Sequence, residues 1–294
     1  MIAVKSIYKS AEGKRAILDL YDEQLARIGA PFEDVFVDTS FGRTHVVATG
    51  NPDGIPLLSF HGGNSTTAHN LVTSPFLLRG DFRVFAVDTI GHPGKSDEAC
   101  LPPSGYAYGE WASQVIDGLD FPRMRCIGGS FGAGILAKLM CAAPGKVERA
   151  VLFVPSGIKN APVWHSMSMM GPMIMYLLSR REEWFVKTLL PMAGAPDVID
   201  AETLATAKAT IDHAKVKAGM PTDVDPERMA ACTAPTLVMA GDADRLFPAA
   251  RVLPQAEAII PNVTCRLMPG RAHMGALTAD QEREIVEFLK EGAR

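Results

Sequence analysis

At 294 residues the chain can bury a sizeable core, enough for one large α/β domain or two small ones. Its 29 basic and 33 acidic residues leave a net charge of −4, and no Lys/Arg run stands out, so nothing marks a nucleic-acid or anionic-membrane binder. With 47% hydrophobic and 21% charged residues the composition is ordinary for a globular enzyme, and the lack of a charged footprint argues for a small-molecule ligand.

The chain's 5 cysteines, at positions 100, 126, 141, 232 and 265, are odd in number, scattered and free of Cys-x-x-Cys spacing. That pattern argues against a disulfide framework or structural zinc and for reduced thiols in a cytoplasmic protein. The opening Met1-Ile-Ala-Val-Lys lacks the apolar core of a signal peptide. The apolar stretch near residues 167–178 is broken by Gly171 and Pro172 and too short for a membrane span.

Ala16, Ile17, Leu20, Leu25 and Ile28 recur at helical spacing, so residues 1–30 are predicted as an N-terminal helix stopped by Gly29 and Pro31. Two strands, 33–38 and 44–49, follow, joined as a hairpin by the Gly-containing connection 39–43. The runs 56–60, 83–87, 124–127 and 150–154 are continuously apolar, as strands buried on both faces of a parallel sheet are. Helical segments 108–119 and 131–143 separate them. The rhythm returns with strands 236–240 and 264–268 and helices 249–260 and 275–290. This order predicts an α/β fold with a mostly parallel, doubly wound sheet and an antiparallel N-terminal hairpin.

Residues 157–233 interrupt the pattern. They are rich in Met and carry helical runs at 164–180, 181–190 and 197–218 without a strand-like run. They are predicted as a helical cap inserted into a core formed by 31–156 and 234–294; the alternative is two further sheet-packing helices.

Gly128-x-Ser130-x-Gly132 lies directly after an apolar run and before a helix, the strand–turn–helix setting a nucleophile elbow needs. A serine on so sharp a bend requires small neighbours, and Gly128, Gly129, Gly132 and Gly134 supply them. The Phe131 N–H at the helix start then faces a developing oxyanion. The second donor is expected from the loop His61-Gly62-Gly63-Asn64, with the Gly63 N–H first and Asn64 as the alternate; His61 is read as bonding its own loop.

A serine hydroxyl needs an imidazole base, and the imidazole needs a carboxylate. Gly241-Asp242-Ala-Asp244 and Gly270-Arg-Ala-His273 follow apolar runs, at the strand ends where sites of open α/β sheets form. Asp242 reads as a turn or cap residue. The remaining histidines, 45, 69, 92, 165 and 213, lack a strand-end glycine setting and read as surface or packed residues. Gly94-Lys95-Ser96 imitates a phosphate loop, but position 89, where the full pattern needs glycine, is Thr.

Together these segments resemble the α/β-hydrolase family, in its capped esterase and lipase-like members, over about residues 34–290. The matching features are His61-Gly62, the series Asp88, Gly91, Gly94 and Ser96, the elbow, Gly241 with Asp244, and Gly270 with His273. The resemblance implies Asp244, rather than Asp242, as the partner of His273. Ser130 sets the chain apart from haloalkane dehalogenases and epoxide hydrolases of this fold, which would need Asp there. A weaker likeness to proline iminopeptidases would need Glu182, Glu183, Asp197 or Asp200 to bind an amino terminus; surface helix charge accounts for them more simply.

The expectation is a serine hydrolase acting on a small carboxylic ester through an acyl-enzyme, with Ser130, His273 and Asp244 as triad and Gly63 and Phe131 as oxyanion donors. No metal or organic cofactor is expected, and no nucleic-acid partner. Rivals on the same triad are amide cleavage, C–C cleavage and acyl transfer; outside enzymes, a ligand-binding receptor or scaffold with a vestigial triad.

Overall fold

In the computed structural model, residues 6–215 and 219–293 are described. The strands are β1 (Phe32–Thr39), β2 (Gly42–Gly50), β3 (Ile55–Phe60), β4 (Phe82–Val87), β5 (Met124–Gly129), β6 (Val147–Phe153), β7 (Thr236–Gly241) and β8 (Val263–Met268). They form one 8-stranded sheet in the order β1-β2-β4-β3-β5-β6-β7-β8. β2 pairs antiparallel with both β1 and β4, and every later pairing is parallel.

Alternate residues of the central strands feed two separate cores. Leu58 and Phe60 pack with α3 (Ala107–Gly118), α4 (Phe131–Ala142) and α9 (Ala249–Ile259) through Trp111, Leu136 and Val252. Leu57 faces the other way, toward α1 (Ala11–Ala26), α2 (Thr67–Thr73) and α10 (Ala279–Lys290), through Tyr21, Leu71 and Leu289. Burial on both faces is why these strands read as continuous apolar runs.

Several boundaries differ from the sequence expectation. The predicted helix 1–30 narrows to α1: Ser10 caps it, its side chain accepting the Gly13 N–H, and residues 1–5 lie outside the described residues. The hairpin closes on Ser40-Phe41 alone, because Gly42 takes φ 132 and lets pairing begin there. β6 stops at Phe153, since Val154 adopts φ 40, which a β-branched residue cannot carry within a strand. The last helix starts at Ala279, not 275, fixed by a capping box between Thr278 and Gln281.

Between β6 and β7 lie a 3-10 turn (Val163–Met169) and helices α5 (Met170–Ser179), α6 (Glu182–Ala193), α7 (Ala201–His213) and α8 (Pro226–Met229). The N-terminal segment ties α7 to the core. The Lys9 N–H donates to the His213 carbonyl at 2.8 Å, and Gln24 Nε2 donates to Thr206 Oγ1 at 2.8 Å. Tyr8 Oη bonds the Gly94 backbone, and Tyr21 Oη donates to the buried Asp88 carboxylate. Among the described residues no helix is long and apolar enough to cross a membrane.

Candidate active site

The turn between β5 and α4 concentrates backbone strain on one residue. Ser130 has φ 53 and ψ −114, a conformation disfavoured for any residue with a Cβ and costing about 1–3 kcal/mol. The surroundings hold it there. Its N–H donates to the Phe153 carbonyl at 2.9 Å, and its carbonyl accepts from the Gly134 N–H at 3.1 Å and from Ser156 Oγ at 3.0 Å. Ser156, absent from the sequence reading, is therefore part of the clamp; only proximity after folding reveals it. A Cβ on Gly128 would stand 2.5 Å from the Gly132 carbonyl oxygen, and one on Gly132 would strike the Phe60 carbonyl. Gly129 differs from the expectation of a strict small-residue need: a Cβ there meets the Phe153 ring at an ordinary 3.8 Å.

The strand-end loops bring the other two predicted side chains to this bend. His273 Nε2 lies 2.9 Å from Ser130 Oγ, and His273 Nδ1 lies 2.8 Å from Asp244 Oδ2. Burial pushes the Asp244 carboxyl up, but His273 and the N–H groups of Phe247 and Leu246 outweigh it and hold the acid below its ordinary range. An ionised carboxylate only accepts, so Nδ1 carries the proton that faces it; in the Nδ1–H tautomer Nε2 accepts from the serine hydroxyl. The Phe247 ring packs edge-on against the imidazole at 5.3 Å between centroids. Asp242 does not reach His273; its Oδ1 accepts the Gly270 N–H at 2.7 Å and pins the two loops together.

The His61–Asn64 loop lies against the elbow. A Cβ on Gly63 would sit 3.4 Å from Phe131 Cβ, and one on Gly62 3.9 Å from Ser130 Cβ. Phe131 opens α4, so its N–H has no helical partner. His61 Nε2 accepts the Thr89 N–H at 3.1 Å, which leaves Nδ1 to donate to the Gly62 carbonyl at 2.8 Å. Burial lowers its pKa and keeps this ring neutral. His92 packs at a tilt against the Phe131 ring, 4.5 Å between centroids, and burial pushes its pKa down to about 3.

Ser130 and His273 open onto a cavity of about 1090 Å³, with Phe76, Phe153, Met169, Met173 and Leu189 among its apolar walls. Met169, Met173 and Leu189 come from the segment between β6 and β7, the others from the core. His69, read from sequence as surface or packed, also lines the cavity, as does His165. The Gly94-Lys95-Ser96 loop holds no open cradle: Ser96 Oγ donates to the Asp88 carbonyl at 2.7 Å and Lys95 Nζ pairs with Asp22.

A hydroxyl on a strained bend, hydrogen-bonded to a buried imidazole–carboxylate pair at the start of a helix, is the arrangement of a serine hydrolase. Residues 57–288 match the model of the alpha/beta hydrolase family, and the chain belongs to that family. Carboxylesterase YbfK of Bacillus subtilis is 22% identical over 306 residues, an alignment covering 100% of both chains. Its crystal structure superposes with a TM-score of 0.80 at 21% identity over 96% of this chain and 100% of that one. The naproxen esterase of Bacillus subtilis is similar too, with a TM-score of 0.77 at 20% identity over 95% of this chain and 99% of its own.

Proposed function

We propose that this chain hydrolyses carboxylic esters through an acyl-enzyme on Ser130. The observation that carries the reading is the continuous path from Asp244 through His273 to Ser130 Oγ, at 2.8 and 2.9 Å, on the wall of a largely apolar cavity. Ser130 Oγ attacks the ester carbonyl while His273 Nε2 takes its proton, and Asp244 stabilises the imidazolium. The carbonyl oxygen, now negative, lies against the N–H groups of Phe131 and Gly63, with the Asn64 N–H as the alternate donor. Collapse breaks the C–O bond and His273 returns the proton to the departing alcohol. Water then repeats the sequence on the acyl-enzyme, releasing the acid and restoring Ser130.

Residues 157–233 act as a cap on the core formed by 31–156 and 234–294, with Met169, Met173 and Leu189 supplying its share of the cavity wall. The cavity admits substrates larger than an acetate ester. An ester is favoured over an amide because the similar Bacillus proteins are named esterases. The substrate is a small molecule rather than a nucleic acid, and the scattered cysteines suit the cytoplasm.

The test is turnover of p-nitrophenyl acetate and butyrate by the wild type and Ser130→Ala. Product release should fall by at least about 10³-fold in the variant. Ligand binding that survives Ser130→Ala, with no wild-type turnover, would overturn it in favour of a receptor.

A further inference from the structure

The loop carrying Gly62, Gly63 and Asn64 is gripped at both ends by a histidine, and the two grips lead to different parts of the molecule. At the entrance, His61 holds the Gly62 carbonyl and is itself fixed to the core by the Thr89 N–H. At the exit, His69 Nδ1 lies 2.8 Å from Ser65 Oγ, and His69 Nε2 lies 3.1 Å from Thr203 Oγ1 on α7. Thr203 Oγ1 donates at 2.6 Å to the carboxylate of Asp200, the residue that caps α7.

The polarity of this chain follows from its end. Because Thr203 spends its only proton on Asp200, it accepts from His69 Nε2–H. Nδ1 of the neutral ring then accepts from Ser65 O–H. Hydroxyl, imidazole, hydroxyl and carboxylate thus point their donors one way, from the loop to α7. The loop needs such a restraint, since Asn64 holds φ 52 and only Ser65 separates it from Thr66, the N-cap of α2. His69 stands one turn inside α2, so its ring is fixed to a rigid element while reaching back to the loop.

We propose that His69 is a positioning residue that sets the oxyanion-donor loop according to the seating of α7. This rests on the reading of Ser130 as nucleophile and of Gly63 as a donor. Through Ser65 the ring holds the loop; through Thr203 it transmits the place of a helix that also lines the cavity. Cutting the chain at any link lets the donor N–H drift from the position the transition state needs, at a cost in kcat rather than in substrate binding.

The experiment measures kcat and KM for p-nitrophenyl butyrate in the full chain carrying Ser65→Ala, His69→Gln, His69→Asn or Thr203→Val, with melting temperature as the check on folding. Gln places a donor near Nε2 and Asn an acceptor near Nδ1, so each keeps one link and loses the other. We expect kcat to fall about 10- to 100-fold in all four with KM within about 3-fold, and Thr203→Ser to recover most of what Thr203→Val loses. The double variant Ser65→Ala/Thr203→Val should be no worse than the poorer single, because both cut one chain. Thr203→Val, isosteric and on α7 outside the sheet, keeps the test open if a His69 variant fails to fold. Wild-type kcat in folded Thr203→Val and Ser65→Ala, or fully additive losses in the double variant, would overturn the proposal. Those results with an inactive Ser130→Ala would leave the ester-hydrolase reading standing, whereas an active Ser130→Ala would remove its premise.

Discussion

Gly132 and Phe60 touch so closely that a methyl group on the glycine would collide with the Phe60 carbonyl oxygen, and it would also lie 2.7 Å from that of His61. The start of α4 is thus pressed onto the end of β3, which brings the elbow and the donor loop to one point.

Gly132→Ala should therefore force β3 and α4 apart. The expected cost is about 2 kcal/mol or more in urea unfolding, with activity lost in the fraction that still folds. Gly129→Ala, whose new methyl has ordinary space beside Phe153, should stay within about 1 kcal/mol of wild type. Equal costs for the two would contradict the account of the turn.

Asp244→Asn preserves shape but removes the charge that orients His273. The asparagine can present its NH₂ to Nδ1 and leave the imidazole in the wrong tautomer, so kcat should drop by about 10³- to 10⁴-fold with little change in melting temperature. Asp242→Asn, at a side chain that accepts the Gly270 N–H rather than bonding His273, should retain most activity. A steady-state comparison of the two variants separates the acids.

How much of this was legible in the sequence depended on whether a signal was local. Ser130, His273 and the strands around them announced themselves through glycine spacing and apolar runs buried on both faces. Asp244 was separated from Asp242 only by family resemblance, because two acids two residues apart offer the same local chemistry. α2 went unseen: it is seven residues long, and Thr, His and Asn carry no helical stripe. Ser156 and His69 were invisible because their partners lie 26 and 134 residues away in sequence. The N-terminal residues gave a helix but not its purpose, which is seen only in the contacts of Gln24 with α7.

His92 makes stability fall in acid. Its folded pKa is about 3 against an ordinary value of 6.5, so the neutral ring is favoured by folding. Between those values the unfolded chain binds one more proton at this site, and stability rises with pH. It is fully present above about pH 6.5 and is lost at ~1.4 kcal/mol per pH unit as pH falls toward 3. Nε2 of His92 is buried without a hydrogen-bond partner among the described residues, so His92→Phe keeps the tilted ring contact with Phe131 at little cost. Urea titrations at pH 4.5, 5.5 and 6.5 should show the slope of stability against pH reduced by close to one proton in the variant. An unchanged slope would contradict the assignment.

Gln24 is fully buried and donates to both Thr206 and Glu202 of α7. Gln24→Ala takes that donor from the buried Thr206 hydroxyl, while Glu202 keeps Arg27, and should cost about 1–3 kcal/mol, with faster proteolytic cleavage within residues 157–233. Arg27→Ala removes only a half-exposed ion pair with Glu202 and should cost less than about 1 kcal/mol.

The claim beneath all of this is that one hydroxyl is made nucleophilic by one imidazole. Reaction with a fluorophosphonate, followed by peptide mass spectrometry, reads that directly, since the reagent needs an activated serine but not the right substrate. A single adduct should form on the peptide containing Ser130 in the wild type and be slowed by at least about 10³-fold in His273→Ala. No adduct at Ser130 in the folded wild type, or labelling at equal rates with and without His273, would contradict it.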